Sequence, residues 1–192
     1  MTNNDPPQAV VAGCSAGGLK ALHVLLSSLH AELPIPVIVV AHTGSEDIGT
    51  LCDLLSRNSK LPVVEAQERH LPRPGCVYLA PTGYHLYLEQ DGRFALSIDA
   101  KVCHVRPSID VLFESAADAF GPMLAGVVLT GANEDGAAGL KAIRARGGIG
   151  IVQDPQDAEV SAMPAAALAQ AGADFCVPLH EIGPLINRLC GR

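Results

Sequence analysis

One stretch decides the fold of this chain: Ala9-Val10-Val11-Ala12-Gly13-Cys14-Ser15-Ala16-Gly17-Gly18. Its apolar first half predicts a short buried strand, and its glycines predict a tight turn that leads into a helix. In a G-x-S-x-G pattern of this kind, the serine hydroxyl is held at the carboxyl end of a sheet. The first N–H groups of a helix have no partner within the helix and can hold an anion. The stretch therefore predicts an attacking oxygen next to an oxyanion site.

The rest of the chain alternates short apolar runs with segments of helical periodicity. Further strands are predicted at 37–41, 124–130, 149–152 and 175–177. Helices are predicted at 19–29, 48–57, 107–120, 137–146 and 182–189. Continuous apolar strands that alternate with helices are typical of a parallel sheet covered on both faces. The predicted fold class is therefore α/β, a three-layer α/β/α arrangement around a doubly wound, mostly parallel sheet.

The middle of the chain predicts a departure from this parallel pattern. Three short apolar runs at 77–80, 85–88 and 94–98 are separated by Pro81-Thr82-Gly83 and by Asp91-Gly92. Short strands with Asp-Gly between them are typical of an antiparallel hairpin. We interpret the polar residues 1–7 as an N-terminal tail and residues 8–192 as a single domain.

Composition argues against several classes of function. The chain has 192 residues, 48% of them hydrophobic, and a net charge of −7. This charge, without a long basic run, argues against nucleic-acid binding. No apolar run is long enough to span a membrane and residues 1–8 do not form a signal peptide, so we expect a cytoplasmic protein without membrane insertion. The six scattered cysteines predict free thiols, and no metal site is expected because the histidines lack paired ligand spacing.

Three polar residues follow three of the predicted strands. Ser15 follows the first strand, His42 comes directly after the second, and Asp135 lies in the turn after the strand at 124–130. Because the carboxyl ends of parallel strands meet at one edge of a sheet, we expect these side chains to lie together. A serine hydroxyl needs a base to take its proton, imidazole titrates near neutrality, and a carboxylate fixes the imidazole tautomer. The placement predicts a Ser-His-Asp triad.

The base and the acid of this triad each have an alternative interpretation. A histidine at a strand end is often structural. Glu134 and Asp154 are rival acids for the same role. Asp135 itself precedes a predicted helix and would then serve only as the cap of that helix.

The nucleophile turn also has alternatives. Cys14 is a second candidate nucleophile, although an extended chain turns it away from the side on which Ser15 lies, which predicts a packing role. The glycines are also compatible with a phosphate-binding loop. A dinucleotide site, however, would need an acid at the end of the second strand, where this chain has His42.

Six motifs along the chain form a set with a known counterpart. They are Gly13-Cys14-Ser15-Ala16-Gly17-Gly18, Ala41-His42, Tyr78-Leu79-Ala80-Pro81 with His85-Leu86, Arg106-Pro107-Ser108-Ile109-Asp110-Val111-Leu112-Phe113, Leu129-Thr130-Gly131-Ala132-Asn133-Glu134-Asp135-Gly136, and Gln153-Asp154 with Met163-Pro164. As a set they resemble the catalytic domain of the chemotaxis receptor methylesterases, the CheB family. The resemblance covers roughly residues 8–190, which is nearly the whole chain.

The resemblance implies a reaction and a role for each residue of the triad. Ser15 corresponds to the nucleophile, His42 to the base and Asp135 to the orienting acid, while the backbone N–H groups of Ala16 and Gly17 would hold the oxyanion. The implied reaction is hydrolysis of glutamyl γ-methyl esters on the cytoplasmic helices of chemoreceptors, with deamidation of receptor glutamines as a companion activity. No metal or organic cofactor is implied.

The resemblance also suggests how substrate and partners bind. Arg106 and Met163 are the suggested substrate-binding residues, and an ion pair with Asp110 is the alternative role for Arg106. The implied partner is a methylated chemoreceptor, and a receptor methyltransferase or a separate regulator is left open as a further partner.

Some positions depart from the family pattern. Ala16, Ala132 and Asn133 stand where the family commonly has Thr, Met and Gly. A receptor-docking domain without turnover therefore stays as an alternative. Family members commonly carry a receiver domain ahead of the catalytic domain, and because only fourteen residues precede Ser15, we expect none here.

Overall fold

The computed structural model of the chain describes residues 5–42 and 47–191. Most of the predicted tail, residues 1–4, lies outside the described residues. The strands are β1 (Ala9–Cys14), β2 (Val37–Ala41), β3 (Val63–Glu65), β4 (Val77–Leu79), β5 (His85–Leu88), β6 (Phe94–Ser97), β7 (Leu124–Val128), β8 (Ile149–Gln153) and β9 (Phe175–Val177). The helices are α1 (Gly18–Ser28), α2 (Ile48–Ser56), α3 (Ile109–Phe120), α4 (Ala137–Ala145), α5 (Ala162–Ala171) and α6 (Leu179–Cys190).

The main sheet confirms the predicted α/β class. Its strand order is β3-β4-β2-β1-β7-β8-β9, and its strand pairs are all parallel. The chain first builds outward from β1 on one side and then returns to build β7, β8 and β9 on the other. This reversal next to β1 is the point at which open α/β sheets bind ligands, outside the carboxyl ends of the strands.

The sheet is covered on both faces by apolar clusters. Along β1, Val10 and Ala12 face a cluster that includes residues of α1, α2 and α6. Ala9 and Val11 face a second cluster, which includes residues of α3, α4, α5 and the β5–β6 hairpin. Because successive side chains of a strand point to opposite faces, continuous apolar strands are what this three-layer arrangement requires. Among the described residues, no helix combines the length and apolar character needed to cross a membrane.

The predicted hairpin needs one correction. The strands at 85–88 and 94–97 do pair antiparallel as β5 and β6, with Asp91-Gly92 between them. The run at 77–80 is not part of this hairpin, because β4 pairs in parallel with β2 and β3 in the main sheet. Val77, Tyr78 and Leu79 are all buried, which is the burial pattern of a strand covered on both faces.

Two elements were not predicted. Strand β3 has three residues at the edge of the sheet, two of them exposed, so it lacks an apolar run. Helix α5 is alanine-rich and carries Pro164 in its first turn. Apolar residues on all sides of a helix leave no periodic stripe to read.

Helices α3 and α4 approach each other at Gly139, which leads to a first prediction. A methyl group on Gly139 would lie 2.5 Å from Cβ of Phe113 and 3.0 Å from Cα of Asp110. We expect Gly139→Ala to lower the free energy of unfolding by about 2 kcal/mol in denaturant titrations, because backbone atoms must move to admit the methyl group. Gly49→Ala, in the exposed first turn of α2, is the control: its methyl group would meet only the Asp47 side chain, at 3.2 Å, which can move, so a cost well below that of Gly139→Ala is expected. Equal effects of the two substitutions would contradict this prediction.

Candidate active site

Ser15 and His42 lie side by side at the ends of adjacent strands. The register pairs Cys14 of β1 with Ala41 of β2, and the N–H of His42 donates to the carbonyl oxygen of Cys14 at 3.0 Å. On the other side, the N–H of Ser15 donates to the carbonyl oxygen of Thr130, which follows β7, also at 3.0 Å. The sheet thus fixes the backbone of Ser15 between its two neighbours at the reversal point.

The imidazole of His42 contacts the carboxylate of Asp135. Nε2 of His42 lies 3.0 Å from Oδ2 of Asp135, and the two side chains are 9% and 0% exposed. This contact has the distance of an ion pair, although neither ring nitrogen of His42 has a hydrogen-bond partner among the described residues, Ser15 included. Nδ1 is therefore the ring nitrogen left over for a proton from the serine. Ser15 and His42 line the same open cleft, with a volume of about 560 Å³.

The carboxylate of Asp135 is held by the start of α3. One oxygen accepts hydrogen bonds from the Ser108 hydroxyl at 2.8 Å and the Asp110 N–H at 2.9 Å. The other accepts from the Ile109 N–H at 2.7 Å. Burial alone would raise the pKa of Asp135, but the His42 imidazole and these donors together hold the pKa below its usual value. Asp135 is therefore a fixed anion in front of the imidazole.

Asp135 does cap a helix, but not the one considered from the sequence. Helix α4 begins after Gly136, which has no side chain to act as a cap, and Asp135 caps the N-terminus of α3 instead. Asp110, in the first turn of α3, returns the contact by accepting from the N–H groups of Gly136 at 2.9 Å and Gly139 at 2.7 Å. The two helix starts thus cap each other, and this network sets the position of Asp135.

The pKa of Asp110 is shifted in the opposite direction to the pKa of Asp135, which gives a second prediction. Burial and the nearby Asp135 charge outweigh the amide hydrogen bonds and raise the pKa of Asp110 from 3.8 to about 6. A carboxyl whose pKa is raised on folding costs stability when it is ionised in the folded state, and regains it as pH falls below that pKa. Both amides donate to one oxygen, Oδ1, which asparagine retains.

We therefore expect the free energy of unfolding of Asp110→Asn at pH 7.5 to exceed the native value by about 1–2 kcal/mol. The advantage should shrink between pH 6 and pH 4, where native Asp110 becomes neutral. Urea titrations across this pH range measure the difference. A variant that is less stable at pH 7.5, or a difference independent of pH, would contradict the raised pKa.

The turn after β1 carries backbone N–H groups that could bind an oxyanion. Gly17 has a φ of 76°, a left-handed conformation that favours glycine. A methyl group on Gly18 would lie 2.6 Å from Sγ of Cys14, so the helix can sit against the strand only with glycine there. Among the described residues, the N–H groups of Ala16 and Gly17 have no hydrogen-bond acceptor. These two donors are available to an oxyanion at the start of α1.

The rival side chains lie elsewhere. Cys14 is buried, and burial raises the pKa of its thiol to about 12, so it packs against Gly18 and is a poor nucleophile. Asp154 accepts a hydrogen bond from the N–H of Gln156, and Glu134 is exposed. The acid that the structure brings to His42 is Asp135.

Arg106 and Met163 occupy different surroundings. Nη1 of Arg106 donates to the carbonyl oxygens of Ile98 and Asp99 at 2.7 and 2.8 Å, so the ion pair with Asp110 considered from the sequence is not formed. Arg106 and His42 line a small depression of about 200 Å³. Met163 is fully buried and packs on Gly131, which gives it a packing position below the surface.

The sequence patterns missed three supporting residues. Ser108 was named only within a motif, and Asp110 only there and as an alternative ion-pair partner of Arg106, because hydrogen bonds between distant segments leave no local signal. His85 is the third: it is fully buried, its Nδ1 accepts from the N–H of Ser108 at 3.2 Å, and its Nε2 lies 3.1 Å from the carbonyl oxygen of Ala100. It braces the segment that carries Ser108.

One side-chain cluster has the composition of a metal site. The ligand atoms of Cys103, Asp110 and Asp135 lie within 4.8 Å of one another. Both carboxylates already accept amide hydrogen bonds, and burial together with the negative charges of these acids raises the pKa of the Cys103 thiol. The donors are thus committed to the helix starts rather than arranged around an ion.

A serine, an imidazole and a carboxylate at one edge of a parallel sheet are the arrangement of an α/β serine hydrolase. The family model of the CheB methylesterases matches residues 10–186. The chain belongs to the CheB methylesterase family, which confirms the resemblance drawn from the motifs.

Known relatives and a solved structure agree with this membership. A relative from Leptospira interrogans is 42% identical over 95% of this chain and 94% of its own length. The protein-glutamate methylesterase/protein-glutamine glutaminase 2 of Burkholderia lata is 41% identical over 95% of this chain, and FrzG, the protein-glutamate methylesterase of Myxococcus xanthus, is 40% identical over 93%. The chain spans 54% of the length of each of these two. The Thermotoga maritima CheB methylesterase catalytic domain superposes with a TM-score of 0.91 at 31% identity, over 96% of this chain and all of that domain.

Proposed function

We propose that this chain hydrolyses glutamyl γ-methyl esters of chemoreceptors and also deamidates receptor glutamines. The observation that carries the proposal is the 3.0 Å contact between His42 and Asp135, next to Ser15 in the same cleft. Protein-glutamate methylesterase is the activity for which relatives that match over nearly the whole of this chain are named.

The first half-reaction gives each of these groups one role. Nδ1 of His42 takes the hydroxyl proton of Ser15 as the oxygen attacks the ester carbonyl carbon. The tetrahedral intermediate carries its negative charge towards the N–H groups of Ala16 and Gly17. The bond between the acyl carbon and the methoxy oxygen then breaks. His42 donates its proton to the methoxy oxygen, and methanol leaves. One oxyanion donor of this kind typically lowers the barrier by about 3 kcal/mol.

The second half-reaction regenerates the enzyme. Water, deprotonated by His42, attacks the glutamyl-serine ester, and Ser15 leaves with the proton. The products are the free enzyme and a glutamyl γ-carboxylate. A glutamine side chain passes through the same acyl-enzyme with ammonia as the leaving group, because both substrates are attacked at the same carbonyl carbon. Asp135 stabilises the imidazolium in both halves.

The partner of the reaction is a methylated chemoreceptor, the substrate on which this family acts. The reaction then belongs in the cytoplasm, where the helices that carry the methyl esters lie. A receptor methyltransferase or a separate regulator would be a further partner that brings the enzyme to those helices. In this proposal, residues 8–192 act as one catalytic unit, with Arg106 at its edge as a candidate contact for acidic receptor side chains.

The direct test is release of methanol. A purified chemoreceptor cytoplasmic fragment that carries labelled methyl esters is incubated with the protein, and volatile label is counted over time. Labelled methanol at a rate proportional to enzyme concentration supports the proposal. Stable binding of the receptor fragment without any release would instead support the docking-only alternative.

A further inference from the structure

Glu159 lies in the cleft beside the candidate nucleophile. The cleft that Ser15 and His42 line has apolar side chains on one part of its wall and two charged side chains, Lys20 and Glu159. Glu159 follows β8 in the loop that leads to α5, and neither the sequence motifs nor the triad mechanism gives it a role. Its side chain is exposed.

The loop that carries Glu159 is fastened to the nucleophile turn. The N–H of Val160 donates to Oγ1 of Thr130 at 2.9 Å, and the carbonyl oxygen of Val160 accepts from the N–H of Gly131 at 3.0 Å. The Thr130 hydroxyl in turn lies 2.9 Å from the carbonyl oxygen of Ala16, to which it donates. The residue next to Glu159 is therefore tied through one threonine to the turn that holds Ser15.

The carboxyl group of Glu159 stands over Gly17. A methyl group on Gly17 would lie 3.0 Å from Cβ and 3.1 Å from Cδ of Glu159. This position is next to the free N–H groups to which we assign the oxyanion. Glu159 forms no ion pair or hydrogen bond with the described residues, and Lys20, in the same cleft, does not pair with it. The Glu159 carboxylate thus lies beside the N–H groups assigned to the oxyanion, and no counter-charge of the described residues is in contact with it.

We propose that Glu159 is a specificity-determining residue that admits neutral glutamyl esters and amides to the cleft and repels free carboxylates. This inference rests on the proposed function. The substrate side chain is neutral and the product side chain is a carboxylate, so a negative charge beside the oxyanion site distinguishes them. The receptor also presents unmethylated glutamates, which would otherwise compete for the site. The same charge opposes the tetrahedral oxyanion, so selectivity comes at some expense of rate.

The test compares two peptides that differ only by one methyl group. One contains a single glutamyl γ-methyl ester, and the other has the free glutamate at that position. The free-acid peptide is used as an inhibitor of ester hydrolysis, and its inhibition constant is measured for the native protein and for Glu159→Gln. At a separation of several ångströms in a partly solvated cleft, removal of the like charge should lower the inhibition constant about fivefold.

The control variant removes an acidic charge far from the cleft. Glu32→Gln lies in the exposed loop before β2, at the opposite edge of the sheet. It changes the net charge by the same amount, and its inhibition constant should match the native one. Raising the salt concentration should lower the native inhibition constant towards that of Glu159→Gln, since the ions screen the repulsion. A purely structural role of Glu159 would lower kcat without this change in discrimination or in salt dependence.

Three results would overturn the inference: an unchanged inhibition constant in Glu159→Gln, an equal change in Glu32→Gln, or a native constant independent of salt. A failure of the proposed function would give a result distinct from these three, because the native protein would then release no methanol from the ester peptide. In that case, calorimetric titration with the free-acid peptide gives the same comparison without turnover, and equal affinities of the native protein and Glu159→Gln overturn the inference.

Discussion

Ser15→Ala is expected to abolish methanol release, with a loss in kcat of about 10⁵-fold or more, and to leave the fold intact. Without the hydroxyl oxygen there is no atom to form the acyl-enzyme, and triad members act as a unit, so His42→Gln should cost about as much. Ser15 stands in a turn that alanine can also adopt, so the free energy of unfolding should change by less than about 0.5 kcal/mol. Rates of methanol release and denaturant titrations measure the two effects.

The matched control for Ser15→Ala is a substitution of the neighbouring residue, Cys14. Cys14→Ala should keep most of the activity and lose about 1 kcal/mol of stability, because it empties a small volume beside Gly18. Mass spectrometry of the native protein, quenched during turnover, should place the acyl group on a peptide that contains Ser15. Activity that survives in Ser15→Ala but is lost in Cys14→Ala would move the nucleophile to the thiol. Survival in both would remove the covalent mechanism.

The strands that bear Ser15 and His42 of the proposed triad could be predicted because their signals are local. The apolar run before Ser15 and the run before His42 each mark a buried strand, and parallel strands necessarily bring their carboxyl ends to one edge. The family resemblance then favoured Asp135 over Glu134 and Asp154 as the acid. The same local logic failed at β4, because a three-residue strand followed by a turn looks the same in a hairpin and in a parallel sheet.

The support of the site could not be predicted from the sequence. Asp135 and Asp110 are separated by 25 positions in the chain, and their crossed helix caps exist only because α3 and α4 pack with their starts together. Glu159 reaches the cleft through a hydrogen bond between Thr130 and Val160, two residues with no pattern in common. Such contacts depend on tertiary packing, which leaves no periodicity in the sequence.

Asp135→Asn is expected to reduce kcat by about 10⁴-fold, because an amide presents a donor where the imidazole needs an acceptor and so favours the wrong tautomer. The loss should be largely independent of pH above the lowered pKa of the native carboxyl. Glu134→Gln, at the exposed neighbouring position, should change neither activity nor stability. Undiminished activity of Asp135→Asn would transfer the acid role to Glu134 or Asp154.

Asp135, unlike Ser15, is also expected to contribute to the free energy of unfolding. Asp135→Ala leaves the N–H groups of Ile109 and Asp110 and the hydroxyl of Ser108 without their acceptor inside the core. Buried donors without a partner cost about 1–3 kcal/mol each before relaxation, so we expect a loss of roughly 3 kcal/mol or more in the free energy of unfolding. Ser108→Ala removes one of these donors and keeps the carboxylate in place, so it should cost less in both stability and rate. If Asp135→Ala were as stable as Ser15→Ala, the crossed caps of α3 and α4 would not be what holds the acid in front of His42.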